Sequence, residues 1–121
     1  MNTGCTSQRP LGQSRESVGT YGRLLDRPKY SQFESLEQRN ATFYGFPHAN
    51  TTRLSPRTLA EAGFFYTHTG DETICFYFGG KLSQWDPDND DPYEEHAKWY
   101  PHCDYARLAM QRKYTNYYIV M

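Results

Sequence analysis

From Tyr30 onward, apolar residues recur at spacings that specify short helices and strands, whereas the segment before it carries few large apolar groups. Ser31 followed three residues later by Glu34 has the form of a capping box, and Phe33, Leu36 and Glu37 continue at helical spacing. A short helix is therefore expected up to about Asn40. In "LSPRTLAEAG", Ser55 is placed to cap, Pro56 suits a first helical turn, Leu59 and Ala60 form an apolar face, and Gly63 suits a left-handed close. "FFYTHTGDETICFYF" then offers two β-rich runs on either side of Thr69, Gly70 and Asp71, which reads as a hairpin. Gly79 and Gly80 end it, and "KLSQW", Lys81 to Trp85, returns as a third strand. "DDPYEEHAKWY" repeats the helix-start chemistry, with Asp91 as cap, Pro92 in first position, and Glu94 and Glu95 near the positive helix end. His96 and Trp99 then lie one turn apart. After Cys103, "DYARLAMQRKYTNYYIVM" forms a last helix burying Tyr105, Leu108 and either Met110 or Tyr114.

The sum is an α+β domain, a small three-stranded antiparallel sheet wrapped by helices. Residues 1–27, rich in Ser, Gly, Gln and Arg, are expected to form a flexible arm that carries Cys5. Residues 28–118 form the domain and 119–121 a short tail. A chain of 121 residues leaves no room for a second domain. Aromatic residues make up 17% of it, 11 of them Tyr, and mean hydropathy is −0.89, so rings rather than Leu, Ile and Val hold the apolar mass. Small domains of that kind often draw stability from a bound metal.

A formal net charge of −1 gives no general attraction to phosphate backbones or anionic membrane surfaces, so neither nucleic acid nor membrane is an expected partner. The charge is uneven. Asp86, Asp88, Asp90, Asp91, Glu94 and Glu95 crowd one segment next to Trp85, which suggests a cationic or N-terminal amine ligand. The opening residues lack the apolar region of a secretory signal, and no run approaches the roughly 18 to 20 apolar residues of a transmembrane helix. A cytoplasmic or nuclear setting is expected, where Cys and His spacing reads as metal rather than disulfide.

Cys75 at the end of a hairpin strand, His96 in a helix and Cys103 just past it could be drawn together by a turn-rich knuckle, and two thiolates with an imidazole favour zinc. Taken singly, each has a plainer reading, a small buried hydrophobe for a cysteine and a solvated or locally bonded ring for a helical histidine. Their order changes that weighting once "LAEAGFFYTHTGDETICFYFGGKLSQWDPDNDDPYEEHAKWYPHC" is compared with known families. It resembles the core of a baculoviral IAP repeat, the BIR domain of inhibitor-of-apoptosis proteins. The resemblance spans about Tyr30 to Tyr118 and includes "RNATFYGFP" from Arg39, with Phe46 where the family carries Trp.

The resemblance implies the zinc-dependent BIR fold with one structural zinc held through C-x2-C, about sixteen residues, H, x6, C. Carried over, it makes Cys75, His96 and Cys103 ligands and puts Phe78 on the second cysteine; seventeen residues separate Phe78 from His96, one more than the family spacing. A phenyl ring offers zinc no lone pair. Three outcomes stay open: weakened zinc on three protein ligands plus water or a neighbouring side chain such as His102, a metal-free site filled by Phe78, or a damaged fold. An open three-ligand zinc is also what hydrolases use to activate water.

By the same resemblance, Leu82, Ser83 and Gln84 would line the strand side of a peptide groove. Trp85 would floor a pocket for an N-terminal alanine, Trp99 would pack a proline at the third peptide position, and Asp90 and Glu95 would receive the peptide ammonium. Lys81 stands where a groove glycine is common, and Gln84 where many relatives carry an acid. The implied function is a non-enzymatic module that binds free N-terminal Ala motifs of caspases or IAP antagonists and so restrains caspases. The alternatives are a degenerate, zinc-poor BIR acting as an interaction or decoy module, a cell-division BIR reading a histone-like N terminus, and, remotely, the open-site hydrolase. No RING pattern follows, so ubiquitin-ligase activity is not expected of this chain.

Overall fold

The computed structural model describes residues 27–120, so most of the expected arm, with its Cys5, and the end of the expected tail lie outside the described residues. The described chain joins the domain where the sequence texture changes, with Lys29 and Tyr30 N–H groups donating to the Tyr77 and Phe76 carbonyls.

A 3-10 turn at Ser31–Phe33 precedes helix α1, Leu36–Ala41. This corrects the expected single helix capped at Ser31. The cap is Ser35, whose hydroxyl accepts from Gln38 N–H, a second Ser-x-x-Gln pattern four residues on. The break has a cause in Arg39, whose Nη1 donates to the Phe33 and Glu34 carbonyls, the acceptors that a continuous helix would use. Helix α2, Pro56–Glu61, begins as expected, with Ser55 accepting from Thr58 N–H and Pro56 in first position. Gly63 closes it at φ 109°, and a Cβ there would lie 2.8 Å from the Tyr105 ring and 3.3 Å from His96.

Strands β1, Phe64–Tyr66, and β2, Thr73–Cys75, pair antiparallel with Phe64 opposite Cys75 and Tyr66 opposite Thr73. Strand β3 pairs with β2, Thr73 opposite Leu82, and covers only Lys81–Leu82, so Ser83 to Trp85 do not continue the strand. Gln84 turns away at φ 59°. Helix α3, Pro92–Trp99, is capped by Asp91, whose Oδ1 accepts from Tyr93 and Glu94 N–H. Helix α4, Asp104–Val120, buries Tyr105, Ala106 and Ala109, while Leu108 and Met110 are half-buried; Tyr114 is 45% exposed and does not join the core.

The core is aromatic, as the composition requires. Phe43, Phe46 and Tyr66 pack edge-on or stacked, Phe33 stacks on Phe65, and Phe64 sits between Trp85 and His96. Phe46, at the position where the sequence resemblance expects tryptophan, packs inside this cluster. Arg39 ties three elements to it: Nε donates to Ala60 O at 2.8 Å, Nη2 to the Tyr105 hydroxyl at 3.3 Å, and the guanidinium lies over the Phe76 ring.

Candidate functional site

Three elements bring Cys75, His96 and Cys103 together. Cys75 ends β2, His96 stands in the middle of α3, and Cys103 precedes the first turn of α4. All three are buried, and their donor atoms lie within 4.8 Å of one another. The sulfurs are 3.7 Å apart, too far for a disulfide bond and close to the roughly 3.8 Å edge of a tetrahedron with metal–sulfur bonds of about 2.3 Å. His96 Nδ1 donates to the Ala62 carbonyl at 2.7 Å, and this fixes the tautomer and leaves Nε2 as the acceptor. Nε2 is buried without a hydrogen-bond partner. A buried ring nitrogen without a hydrogen-bond partner, grouped with two buried thiols within 4.8 Å, makes a donor set that fits a soft metal.

Burial weighs against ionising either thiol. In Cys75 it is outweighed by the Cys103 thiol, the His96 ring and the Phe78 N–H, which lies 3.4 Å from Sγ, and the pKa falls well below the ordinary thiol value. Cys103 moves up, because its hydrogen bond to Cys75, burial and the Cys75 charge all favour keeping its proton. The two thiols thus shift in opposite directions, and a dication would favour the thiolate form of both.

Phe78 does not close the cluster with a donor. Its side chain is half-buried, with its ring 5.7 Å from that of Tyr100. His102 is exposed and stands apart from the three donors.

The groove candidates divide between β3 with the bend after it and the segment from Asp90 through α3. Leu82 is buried in the core, Ser83 is half-buried, and Gln84 is exposed. Trp85 is 3% exposed and meets Phe64 edge-on at 5.6 Å, so it belongs chiefly to the core. Trp99 is half-buried, and its indole N–H donates to Glu95 Oε1 at 2.9 Å. Glu95 is 8% exposed. Asp90 is 2% exposed and closes the acidic loop, its Oδ2 accepting from Asp86 N–H at 2.8 Å. The Tyr100 hydroxyl donates to the Lys81 carbonyl, which joins the end of α3 to β3.

A cavity of about 450 Å³ lies elsewhere, among Arg39, Phe76, Tyr93, Tyr105, Leu108 and Arg112, and none of the groove candidates lines it. The arrangement also contains residues that the sequence pattern did not single out for a site. Asp71, read only as a turn residue, accepts from both Gln84 and Trp85 N–H and faces His48 Nε2. A hairpin aspartate bonded to chain thirteen residues away leaves no local signal.

Comparison with known proteins follows the same lines. A family model described as "BIR: Inhibitor of Apoptosis domain" matches residues 39–107. Among curated relatives, Baculoviral IAP repeat-containing protein 7 of Mus musculus is 39% identical over 107 residues, covering 88% of this chain and 36% of the relative. E3 ubiquitin-protein ligase IAP-3 of Orgyia pseudotsugata multicapsid polyhedrosis virus is 42% identical over 86 residues, covering 71% and 31%. This chain thus spans about a third of the length of these relatives. Two solved structures share the fold at a TM-score of 0.54: DIAP1 BIR1 bound to a Grim peptide, 34% identical and covering 60% of this chain and 71% of that one, and autoinhibited dIAP1-BIR1, 36% identical and covering 60% and 73%.

Proposed function

The chain belongs to the BIR family of inhibitor-of-apoptosis domains, and from that premise we propose that it is a non-enzymatic peptide-recognition module that captures a free N-terminal alanine motif of a caspase or an IAP antagonist and so restrains caspases. One observation carries the reading: next to Tyr100, whose hydroxyl donates to the Lys81 carbonyl of β3, a half-buried Trp99 is pinned by its indole N–H to the carboxylate of the buried Glu95. A buried carboxylate next to an aromatic face suits an ammonium, which needs both acceptors and an apolar wall. An extended peptide adds to a sheet at its terminal strand, with alternate side chains read by pockets. The Grim peptide bound by the similar DIAP1 BIR1 supports a peptide as the ligand class.

The roles of the candidates are refined by their surroundings. Ser83 and Gln84 form the accessible strand side, supported from beneath by the buried Leu82 and by Trp85, which Phe64 holds edge-on, and Trp99 forms the outer aromatic wall. Glu95 is the ammonium acceptor that the geometry favours, while the Oδ2 contact of Asp90 with the Asp86 amide favours a role in holding the loop.

Zinc is the metal we assign to Cys75, His96 and Cys103. When bound, it would supply a structural cross-link and charge neutralisation for two thiolates. Cys75 anchors it to β2, His96 to α3, and Cys103 to the start of α4. One observation favours a second reading, a metal-poor BIR that binds partners without zinc: Phe78 stands at the fourth donor position and packs near Tyr100. The hydrolase reading draws no support from donors that are all buried from solvent.

The test is titration of tryptophan fluorescence with an Ala-Val-Pro-Ile peptide and its N-acetylated form. The free-amine peptide is expected to shift the emission saturably, and acetylation to weaken binding by about a hundredfold, because a buried carboxylate is then left without its charge partner. Equal binding of both peptides, or of neither, overturns the reading.

A further inference from the structure

The bend that ends β3 is held from outside the strand. The sequence favours continuation through Ser83, Gln84 and Trp85, yet Gln84 lies at φ 59°, a left-handed conformation that non-glycine residues rarely adopt. The bend presents two successive amides, and one carboxylate takes both. Asp71 Oδ1 accepts from Gln84 N–H at 2.7 Å, and Oδ2 accepts from Trp85 N–H at 2.9 Å. Successive backbone N–H groups in this conformation form an anion-binding concavity, and here the anion belongs to the chain itself. Asp71 Oδ2 is also 3.0 Å from His48 Nε2, and both side chains are largely buried. His48 is fixed in turn, since its carbonyl accepts from the Thr51 hydroxyl and its ring meets Phe46 edge-on.

The bend decides which way the next residues face. In an extended strand one residue of slip exchanges the two faces, so a strand continued through Gln84 would not deliver Trp85 against Phe64 as the bend does. We propose that Asp71 is a positioning residue for peptide capture: it locks the left-handed bend at Gln84 that follows Ser83 and turns Trp85 against Phe64, and His48 holds Asp71 in place. The proposal rests on the groove reading above. Asp71 touches no ligand and acts only through two backbone amides.

The experiment compares the wild type with Asp71→Asn, Gln84→Gly and the double variant, by peptide titration and by amide hydrogen exchange without peptide. Asn keeps the shape and one acceptor oxygen but sets an NH2 group against the second amide. Asp71→Asn is expected to weaken binding of the free-amine Ala-Val-Pro-Ile peptide about tenfold and to speed exchange at the Gln84 and Trp85 amides by at least about tenfold. Glycine adopts φ 59° without a Cβ penalty, so Asp71→Asn is expected to do less harm in the Gln84→Gly background, a rescue that general loosening of the fold would not give.

Unchanged exchange at the two amides overturns the lock. Weaker binding with no rescue by Gln84→Gly overturns the bend as its means. If the wild type ignores the peptide, the groove reading fails, and exchange still decides the lock. Should Asp71→Asn unfold the domain, seen as fast exchange at Ile74 of β2 as well, His48→Ala loosens Asp71 without removing it. A rise confined to the amides of Gln84 and Trp85 is then expected, and none would overturn the proposal.

Discussion

Phe78→Cys separates metal binding from packing, because the two act in opposite directions at this one position. Without metal, the substitution removes a half-buried ring near Tyr100. Full burial of a Phe side chain is worth up to about 3 kcal/mol, so half burial, with the cysteine retaining part of the contact, puts the loss at about 1 kcal/mol. With zinc, the new thiolate enters a turn that is already formed, since the amide at position 78 lies 3.4 Å from Cys75 Sγ. Complete sites bind zinc with roughly 10 to 16 kcal/mol of apparent free energy; one donor in four is then worth about 3 kcal/mol, or roughly a hundredfold in affinity. The assay is chelator competition for zinc, with thermal unfolding of both proteins in excess zinc and in excess chelator. Phe78→Cys is expected to melt below the wild type in chelator and above it in zinc, a crossing that neither packing nor metal alone produces. Equal zinc affinity in the two proteins refutes the assignment of position 78 as the missing donor. A wild type that melts identically in zinc and chelator refutes zinc retention on three ligands and leaves Phe78 as a plug.

Arg39→Met is expected to destabilise the domain by about 4 kcal/mol in denaturant titration, because it strips donors from the Ala60, Phe33 and Glu34 carbonyls and from the Tyr105 hydroxyl; a loss below about 1 kcal/mol would show that water replaces them. Gly80→Ala would set a Cβ 2.5 Å from the Tyr100 ring and displace the hydroxyl that holds Lys81, so both the melting temperature and peptide affinity are expected to fall. Glu95→Gln keeps an acceptor for the Trp99 indole and removes only the charge. Calorimetry is expected to show about 2 kcal/mol weaker binding of the free-amine peptide with thermal stability nearly unchanged.

Local chemistry was legible where it acts over a few residues. Ser55 with Pro56, and Asp91 with Pro92, start helices as their sequences indicate, and the turn at Thr69 to Asp71 makes the hairpin. The cysteines and histidine meet as the family resemblance implied, their donor atoms within 4.8 Å of one another, although each taken singly had a plainer reading. What was not legible is set by partners distant in the chain. Ser31 loses its expected helix to Arg39, which takes the carbonyls at Phe33 and Glu34. Ser83 to Trp85 lose their strand to Asp71, and Trp85, expected to end the strand and floor a pocket, turns into the core. The acidic run itself is not a uniform solvated loop, since Asp90 and Glu95 are buried while Asp88 and Glu94 face solvent. Composition distinguishes none of these carboxylates from the others.

Helix α3 is where the metal cluster and the proposed groove meet, and its length makes that meeting consequential. Eight residues fall short of the roughly 12 to 15 that hold a helix on their own, so its position comes from tertiary ties. The ties include Lys113 Nζ on Asp91 Oδ2, His96 Nδ1 on the Ala62 carbonyl, the Tyr93 hydroxyl on Glu61, and Tyr100 on the Lys81 carbonyl. His96 Nε2 is buried without a hydrogen-bond partner among the described residues, in one group with the two sulfurs on β2 and before α4. A metal there would add a tie between α3 and both neighbours at the residue next to Glu95 and one turn before Trp99. Peptide affinity and metal occupancy are then linked through one short helix: the ion, touching no ligand, would lower the freedom that α3 must give up when Glu95 and Trp99 close on a peptide.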